Sequence, residues 1–281
     1  MIYIPDSELD RFLLEDVMFG DLTSRSLGLN SQEGEIRYIS RRDTVASGVS
    51  VVARILQKLG LNIHHSVKDG QRIAAQEEMI SARGYAEALH QGWKVSQNIL
   101  EWCCGVAQAT SSMLDIARKS NAGIQIACTR KSIPGARLLA SQAVLDGGGI
   151  LHRCGTAETI LVFANHRRFL PQPFDWEKHI AALKLRAPEK KIIVEADSLD
   201  EALCAISAHP DIVQLDKFLP VQIEKCLKFA EEVEYHGLFA AAGGIHSDNV
   251  HEYAATGIPL LVTSSPYYAK PADIHVLMHP D

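Results

Sequence analysis

The chain is predicted to be an α/β protein whose second half carries a parallel sheet, and three observations predict it. Apolar runs of strand length recur at residues 124–128, 159–163, 192–194, 212–215, 238–242 and 260–263. Helical patterns over 134–145, 176–186, 200–208, 221–233 and 247–255 fall between or after them. Polar residues gather where the runs end: Arg130 and Lys131 after the first, Glu195 after the third, Asp216 and Lys217 after the fourth, Gly243 and Gly244 after the fifth, Ser264 and Ser265 after the sixth. Strands that alternate with helices pair in parallel through right-handed crossovers, so the pattern reads as about six βα units. An open doubly wound sheet and a barrel both satisfy it, and both bind ligands at the carboxyl ends of their strands.

The elements before these units read differently. Pro5, Asp6 and Ser7 precede Leu9, Phe12, Leu13 and Val17, the spacing of a capped amphipathic helix that ends near Gly20. Residues 20–24 form a turn. Residues 35–41 alternate as a strand, Ser47 and Gly48 turn, and Val51, Val52, Ile55, Leu56 and Leu59 line one face of a second helix. Residues 61–67 and 78–82, about the Asp69-Gly70 turn, predict a small antiparallel pair. From Tyr85 a helical pattern runs for about thirty-five residues with Leu89, Trp93, Ile99 and Leu100 inward, and Gly105 predicts a break in it. The expected organisation is a first domain over residues 1–103, completed by 266–281, and a second over 104–265.

A length of 281 residues allows one large or two ordinary domains. The net charge of -6 and the lack of a long basic run argue against nucleic acid as a partner. With no run of eighteen apolar residues and no charged segment followed by an apolar core at the start, a cytoplasmic protein without membrane insertion is expected. Six scattered cysteines without Cys-x-x-Cys fit reduced thiols.

Two segments carry the chemistry, residues 128–135 and 147–155. Arg130 and Lys131 follow a strand, and three glycines lead to His152 and Arg153, so four donors flanking one helix suit a polyanion. Gly243 and Gly244, ahead of a helix starting near Ser247, would present backbone amides to a phosphate. Glu195 and Asp216 could hold Mg2+, grip ribose hydroxyls, or stabilise positive charge developing on a sugar. Together these suit a sugar-phosphate donor whose C1 bond breaks through an oxocarbenium-like state, with pyrophosphate leaving toward metal and cations.

These residues resemble the quinolinate phosphoribosyltransferases, also called carboxylating nicotinate-nucleotide pyrophosphorylases. The resemblance spans almost the whole chain: Glu15-Asp16 with Gly20-Asp21-Leu22-Thr23, Asp69-Gly70, Asn98 with Gly105, Thr129-Arg130-Lys131, Pro134-Gly135, Gly147-Gly148-Gly149 with His152-Arg153 and Gly155, Asn165-His166, Glu195-Ala196-Asp197-Ser198, Leu215-Asp216 and Gly243-Gly244-Ile245. It implies an N-terminal α/β sandwich followed by a partly open α/β barrel, with Mg2+, phosphoribosyl pyrophosphate and a small pyridine-type base bound in it. It also implies a homodimer in which the sandwich of one subunit closes the barrel mouth of the other. By the same resemblance Lys94, Arg130, Lys131, His152 and Arg153 look like substrate-binding cations, Gly243 and Gly244 belong to the site, and Glu195 and Asp216 look like the carboxylates near ribose that hold Mg2+; Phe163 and Ser264, at strand ends, are expected to bind substrate as well, and Lys131 to act in catalysis beside the two carboxylates.

Several positions depart from the family's pattern, on the base side and, at Ala240-Ala241-Ala242, through loss of a carboxylate and a phosphate-facing hydroxyl. Lys94 stands where the family has the arginine of its Glu-Arg-x-x-Leu-Asn motif, which keeps charge but loses the bidentate fork. Phe163 replaces a lysine, Ala240-Ala241-Ala242 replaces Glu-Ala-Ser, and Lys217 replaces an asparagine. The pattern looks more like a branch of the family associated with molybdate transport. A phosphoribosyl half retained beside a changed base half is expected, with quinolinate itself disfavoured. Two other readings stay open: a non-catalytic protein that binds a nucleotide or an oxyanion such as molybdate, and a Schiff-base aldolase using Lys131 or Lys217.

Overall fold

A computed structural model describes residues 2–281. The chain opens with α1 (Asp6–Val17), which buries Leu9 and Leu13, and α2 (Leu22–Leu27). The segment read as a turn is the entry to α2: the Asp21 carboxylate accepts from the Ser24 backbone N–H, and Gly28 closes the helix at φ 67°. There follow β1 (Glu33–Ser40), β2 (Thr44–Val45), α3 (Val49–Lys58), β3 (Asn62–Ser66), β4 (Arg72–Ile73), β5 (Glu78–Tyr85) and α4 (Ala86–Ala117). The βα series comprises β6 (Gln125–Cys128), α5 (Arg137–Asp146), β7 (Ile150–Leu151), β8 (Ile160–Val162), α6 (Ala164–Arg167), α7 (Trp176–Arg186), β9 (Ile192–Ala196), α8 (Leu199–Ser207), β10 (Ile212–Asp216), α9 (Pro220–Glu232), β11 (Leu238–Ala242), α10 (Val250–Ala255) and β12 (Leu260–Thr263), and β13 (Ile274–Pro280) ends the chain.

Two compact units result. The first contains the chain up to Ser111, Ser132–Gly148 and Pro266–Asp281. Its main sheet runs β13-β1-β5-β3 with every neighbour antiparallel, and α3 packs on β3 and β5 through an apolar face of Val49, Val51, Val52, Ile55 and Leu56. The break expected at Gly105 is absent: α4 is one continuous helix of 32 residues. Gly105 answers a packing demand, since a Cβ there would lie 2.5 Å from the carbonyl oxygen of Lys270. The division between the units falls inside this helix, between Ser111 and Ser112.

The second unit, Ser112–Lys131 with Gly149–Ser265, is a parallel sheet of seven strands in the order β7-β6-β12-β11-β10-β9-β8. It curls into a partly open barrel whose edges are β7 and β8. The sequence pattern reads as six strands because β7 is only two residues long; its pairing is Ala127 with Ile150 and Cys128 with Leu151. Alternation along β11 shows how the layers form. Phe239 and Ala241 join the large core that also holds Ile192, Val194, Val213, Leu215 and Leu261, whereas Ala240 and Ala242 belong to a small cluster with Ala127 and Val262. Alanines on that second face leave space that larger side chains would fill. Among the described residues no helix is long and apolar enough to cross a membrane.

Candidate active site

A pocket of about 560 Å³ lies at the carboxyl ends of the strands of the second unit, and every one of the seven strands or the loop after it contributes to its lining. From β6 come Thr129, Arg130 and Lys131. The backbone there is tied on both sides: Thr129 N–H donates to the Thr263 carbonyl at 2.9 Å, and His152 N–H donates to the Cys128 carbonyl at 2.8 Å. From β7 come His152 and Arg153, the latter held at φ 55°, a conformation a non-glycine residue adopts at a cost of about 1–3 kcal/mol. Arg153 donates from Nη1 to the Thr159 carbonyl at 3.3 Å, and burial and then the neighbouring Arg130 charge lower its pKa against the pull of Glu158. Arg130 Nε is buried without a hydrogen-bond partner. Two guanidinium groups that repel one another, one with an unsatisfied donor, form a site that an anion would relieve.

His152 differs from the arginines. Burial, followed by the Arg153 charge, holds its pKa below the ordinary value, so the ring is neutral at pH 7. Leu161 and Phe163 give the β8 side an apolar wall; the Phe163 N–H donates to His166 Nδ1 at 3.0 Å, and the two rings stack at 5.7 Å.

The carboxylates stand on adjacent strands. Glu195 on β9 is pushed up to about 7, first by burial and then by the Asp216 charge. Gln214, Glu195's ladder neighbour on β10, donates from Nε2 to Glu195 Oε2 at 2.7 Å and pulls the other way, Asp197 adds to the rise, and Lys131 opposes it. Lys217 Nζ lies 3.6 Å from Asp216 Oδ2 on a side chain 80% exposed. An exposed amine paired with a carboxylate lacks the desolvation that makes a Schiff-base lysine nucleophilic.

Gly243 and Gly244 carry φ of 87° and 74°. A Cβ on Gly243 would meet Lys217 Cγ at 2.6 Å and Asp216 Oδ1 at 2.8 Å, whereas the same atom on Gly244 would meet nothing within 4 Å. The helix expected from Ser247 starts instead at Val250 and has six residues, because His246 to Asn249 form a turn in which Asn249 Oδ1 accepts from His246 N–H at 2.8 Å and Asn249 Nδ2 donates to the Gly244 carbonyl at 3.0 Å. The glycines thus shape a loop rather than a helix terminus. Thr263 Oγ1 donates to the Ile245 carbonyl at 2.7 Å and accepts from Ser265 N–H at 3.0 Å, which binds the last two loops together and places Ser264 on the pocket wall.

The pocket therefore gathers Arg130, Lys131, His152, Arg153, Phe163, Glu195, Asp216, Gly243, Gly244 and Ser264. Lys94 is not among its lining residues: it lies on α4 in the first unit, where Nζ donates to Gln97 Oε1 at 3.0 Å and sits 4.5 Å from the Trp93 ring centre. Sequence reasoning passed over Gln214, Leu161, Thr263 and His246, which also line it. The one legible signal was Gln214, a polar residue inside an otherwise apolar strand run and only 3% exposed.

A half-open parallel barrel with cations, paired carboxylates and a glycine loop at its mouth defines a phosphoribosyltransferase-type enzyme. The family of the quinolinate phosphoribosyl transferase C-terminal domain matches residues 106–277, and that of the N-terminal domain matches residues 21–104. The chain belongs to the quinolinate phosphoribosyl transferase family, and with it to the pentosyltransferases. Among its relatives, ModD of Escherichia coli O157:H7, a pyrophosphorylase by name, is 49% identical over 280 residues, covering 100% of this chain and 99% of ModD. ModD of Pasteurella multocida is 46% identical over 278 residues, 99% of each chain. A protein of Methanothermobacter thermautotrophicus named for carboxylating nicotinate-nucleotide pyrophosphorylase activity is 32% identical over 271 residues, 92% of this chain and 93% of its own. The crystal structure of NadC from Streptococcus pyogenes superposes with a TM-score of 0.87 at 25% identity, over 98% of this chain and 96% of that one.

Proposed function

We propose that the pocket transfers the phosphoribosyl group of phosphoribosyl pyrophosphate to a pyridine-type base other than quinolinate, with release of pyrophosphate. The observation that carries this reading is the division of charge in one pocket: Arg130 and Arg153 at the ends of β6 and β7, and Glu195 and Asp216 at the ends of β9 and β10. The ring nitrogen of the base attacks C1 of the ribose, the bond from C1 to the pyrophosphate oxygen breaks, and its electron pair leaves on that oxygen. Positive charge develops on the sugar in between. Glu195 and Asp216 supply negative charge to it, and Lys131 receives the departing pyrophosphate. The absence of side chains at Gly243 and Gly244 lets phosphate oxygens approach the backbone.

Glu195 and Asp216 fit Mg2+, because two mutually repelling carboxylates are the protein share of a site whose other ligands are donor phosphates and water. Bound there, the ion supplies charge neutralisation of the leaving pyrophosphate. A homodimer belongs to the same proposal, with Lys94 brought to the pocket of the partner subunit, as does a cellular setting in molybdate transport; both rest on the resemblance. A base other than quinolinate is favoured by Phe163 and Leu161, which put an apolar wall where a second carboxylate would need a cation.

Calorimetric titration with phosphoribosyl pyrophosphate and Mg2+, then with quinolinate, tests the proposal. Tight donor binding with weak quinolinate binding is expected, followed by pyrophosphate release with another pyridine base. No donor binding would overturn the transferase reading, and quinolinate turnover at an ordinary enzymatic rate would overturn the altered base.

A further inference from the structure

A second cavity, of about 430 Å³, lies between α7 and the last strand of the parallel sheet. His179, Ala182, Leu183 and Arg186 line it, and they fall at i, i+3, i+4 and i+7, one stripe of the helix. Ile160, Leu161 and Val162 of β8 line it too. Successive strand residues face opposite sides, so a space that meets all three runs along the edge of β8, where the sheet has no further strand. Ile160, Val162 and Leu183 also pack against the large core, which makes the floor of the cavity continuous with it.

The charged lining is of one sign. Arg153, His166, His179 and Arg186 line the cavity, and among the described residues no Asp or Glu does. Local bonds set both imidazoles. Phe163 N–H donates to His166 Nδ1 at 3.0 Å, so a neutral ring there carries its hydrogen on Nε2. His179 Nε2 lies 2.6 Å from the Gln172 carbonyl oxygen, an acceptor, and holds its hydrogen toward it. Thr159 adds a buried hydroxyl without a hydrogen-bond partner. Cations over an apolar floor, with no carboxylate to neutralise them, suit a ligand that is apolar in its body and negative at one end.

Arg153 and Leu161 line this cavity and the active pocket alike. The stacked rings repeat the division, since Phe163 lines the active pocket and His166, 5.7 Å from it, lines the second cavity. One guanidinium therefore serves two spaces.

We propose that the cavity between α7 and the edge of β8 is a second ligand site, which takes a small carboxylate with an apolar body and draws Arg153 away from the active pocket when it is filled. Coupling of this kind is reciprocal, so an anion in either space weakens the binding of one in the other.

The test has two arms. In the first, calorimetry compares 2-naphthoate with 2-naphthamide, which lacks the charge, and with inorganic phosphate, which lacks the apolar body. The naphthoate should bind at least about 10-fold more tightly than either. Arg186→Glu and Ala182→Trp, at positions that do not line the active pocket, should each weaken it by about 10-fold or more. Arg186 is exposed in the last turn of α7, so that variant decides even where the bulkier one does not fold. Equal binding of acid and amide overturns the ligand class, tighter binding of phosphate overturns the apolar body, and undiminished binding in Arg186→Glu overturns the location. In the second arm, the Nε–H signal of Arg153 in the 15N-labelled full chain, assigned by its loss in Arg153→Lys, should shift with 2-naphthoate in the wild type and stay in place in Arg186→Glu. A signal unmoved in the wild type overturns the sharing of Arg153. Neither arm uses the phosphoribosyl donor, so failure of that donor to bind would overturn the transferase reading alone.

Discussion

Glu195 and Asp216 end adjacent parallel strands, and the Asp216 charge adds to burial in pushing the Glu195 carboxyl up to about 7. A raised carboxyl pKa means that the folded state holds a proton that the unfolded chain has released. The resulting stabilisation is present below the unfolded value near 4.5 and is lost as pH rises through about 7. Wild-type stability should decline across that window relative to Glu195→Gln, which carries no titrating group, and thermal melts from pH 4.5 to pH 8 would reveal it; parallel curves for the two proteins would remove the raised pKa. Catalysis should run the other way. Charge on both carboxylates serves the developing cation, so turnover should rise through pH 7, and Glu195→Gln or Asp216→Asn should lower kcat by about 10²–10³-fold.

Arg153 combines left-handed backbone, partial burial and repulsion from Arg130. Each feature is unfavourable to the empty pocket and favourable to an anion. Arg153→Ala should leave the thermal midpoint unchanged or slightly raised, while weakening binding of a carboxylate-bearing base by about 1.5–3 kcal/mol. Arg153→Lys should recover little of that affinity, because an ammonium lacks the fork that meets both carboxylate oxygens. A drop in stability without loss of affinity would assign the residue a structural role instead.

How far the sequence reaches is visible in particular residues. The six apolar runs with polar ends are legible because parallel strands covered on both faces read as continuous apolar segments, and their ligand-facing residues fall just past the last apolar one. β7 is hidden because Ile150 and Leu151 are too few to form a pattern, although they set His152 and Arg153 in place. Gly105 is misleading for a related reason. A glycine inside a helical pattern reads as a break, and nothing local tells that the carbonyl of Lys270, far along the chain, passes over it. Gln214 shows the remaining gap: one buried polar residue in a strand announces a partner without naming it, and Glu195 is its neighbour only across a ladder.

Gly105 also yields a stability prediction with an unexpected sign. Alanine in place of a helical glycine ordinarily gains about 0.5–1 kcal/mol. Here the added Cβ would sit 2.5 Å from Lys270 O and 3.1 Å from the Pro271 Cα, backbone atoms that cannot rotate away. Gly105→Ala should therefore destabilise, by about 1–3 kcal/mol. Urea unfolding of the two proteins checks it, and a more stable variant would show that the segment at Lys270 shifts without cost.

Gly243 and Gly244 allow a comparison in which backbone conformation is shared and surroundings differ. Both lie at positive φ, so alanine at either costs about 1 kcal/mol for its conformation. At Gly244 nothing else opposes it, since the new methyl would have open space. At Gly243 the methyl would collide with Lys217 Cγ and Asp216 Oδ1, and Lys217 N would stand 2.8 Å away. Lys217 cannot easily retreat, because its backbone N–H donates to the Ala242 carbonyl at 2.7 Å and its own φ is 60°. The side chain that moves is then Asp216, away from its place beside Glu195. Gly243→Ala should accordingly lose about 2–4 kcal/mol of stability and, in the fraction still folded, most of its Mg2+-dependent donor affinity. Gly244→Ala should lose about 1 kcal/mol and keep that affinity within a few-fold. Paired denaturant and donor titrations separate the two, and equal effects at both glycines would show that the contact between Gly243 and Asp216 does not position the carboxylate.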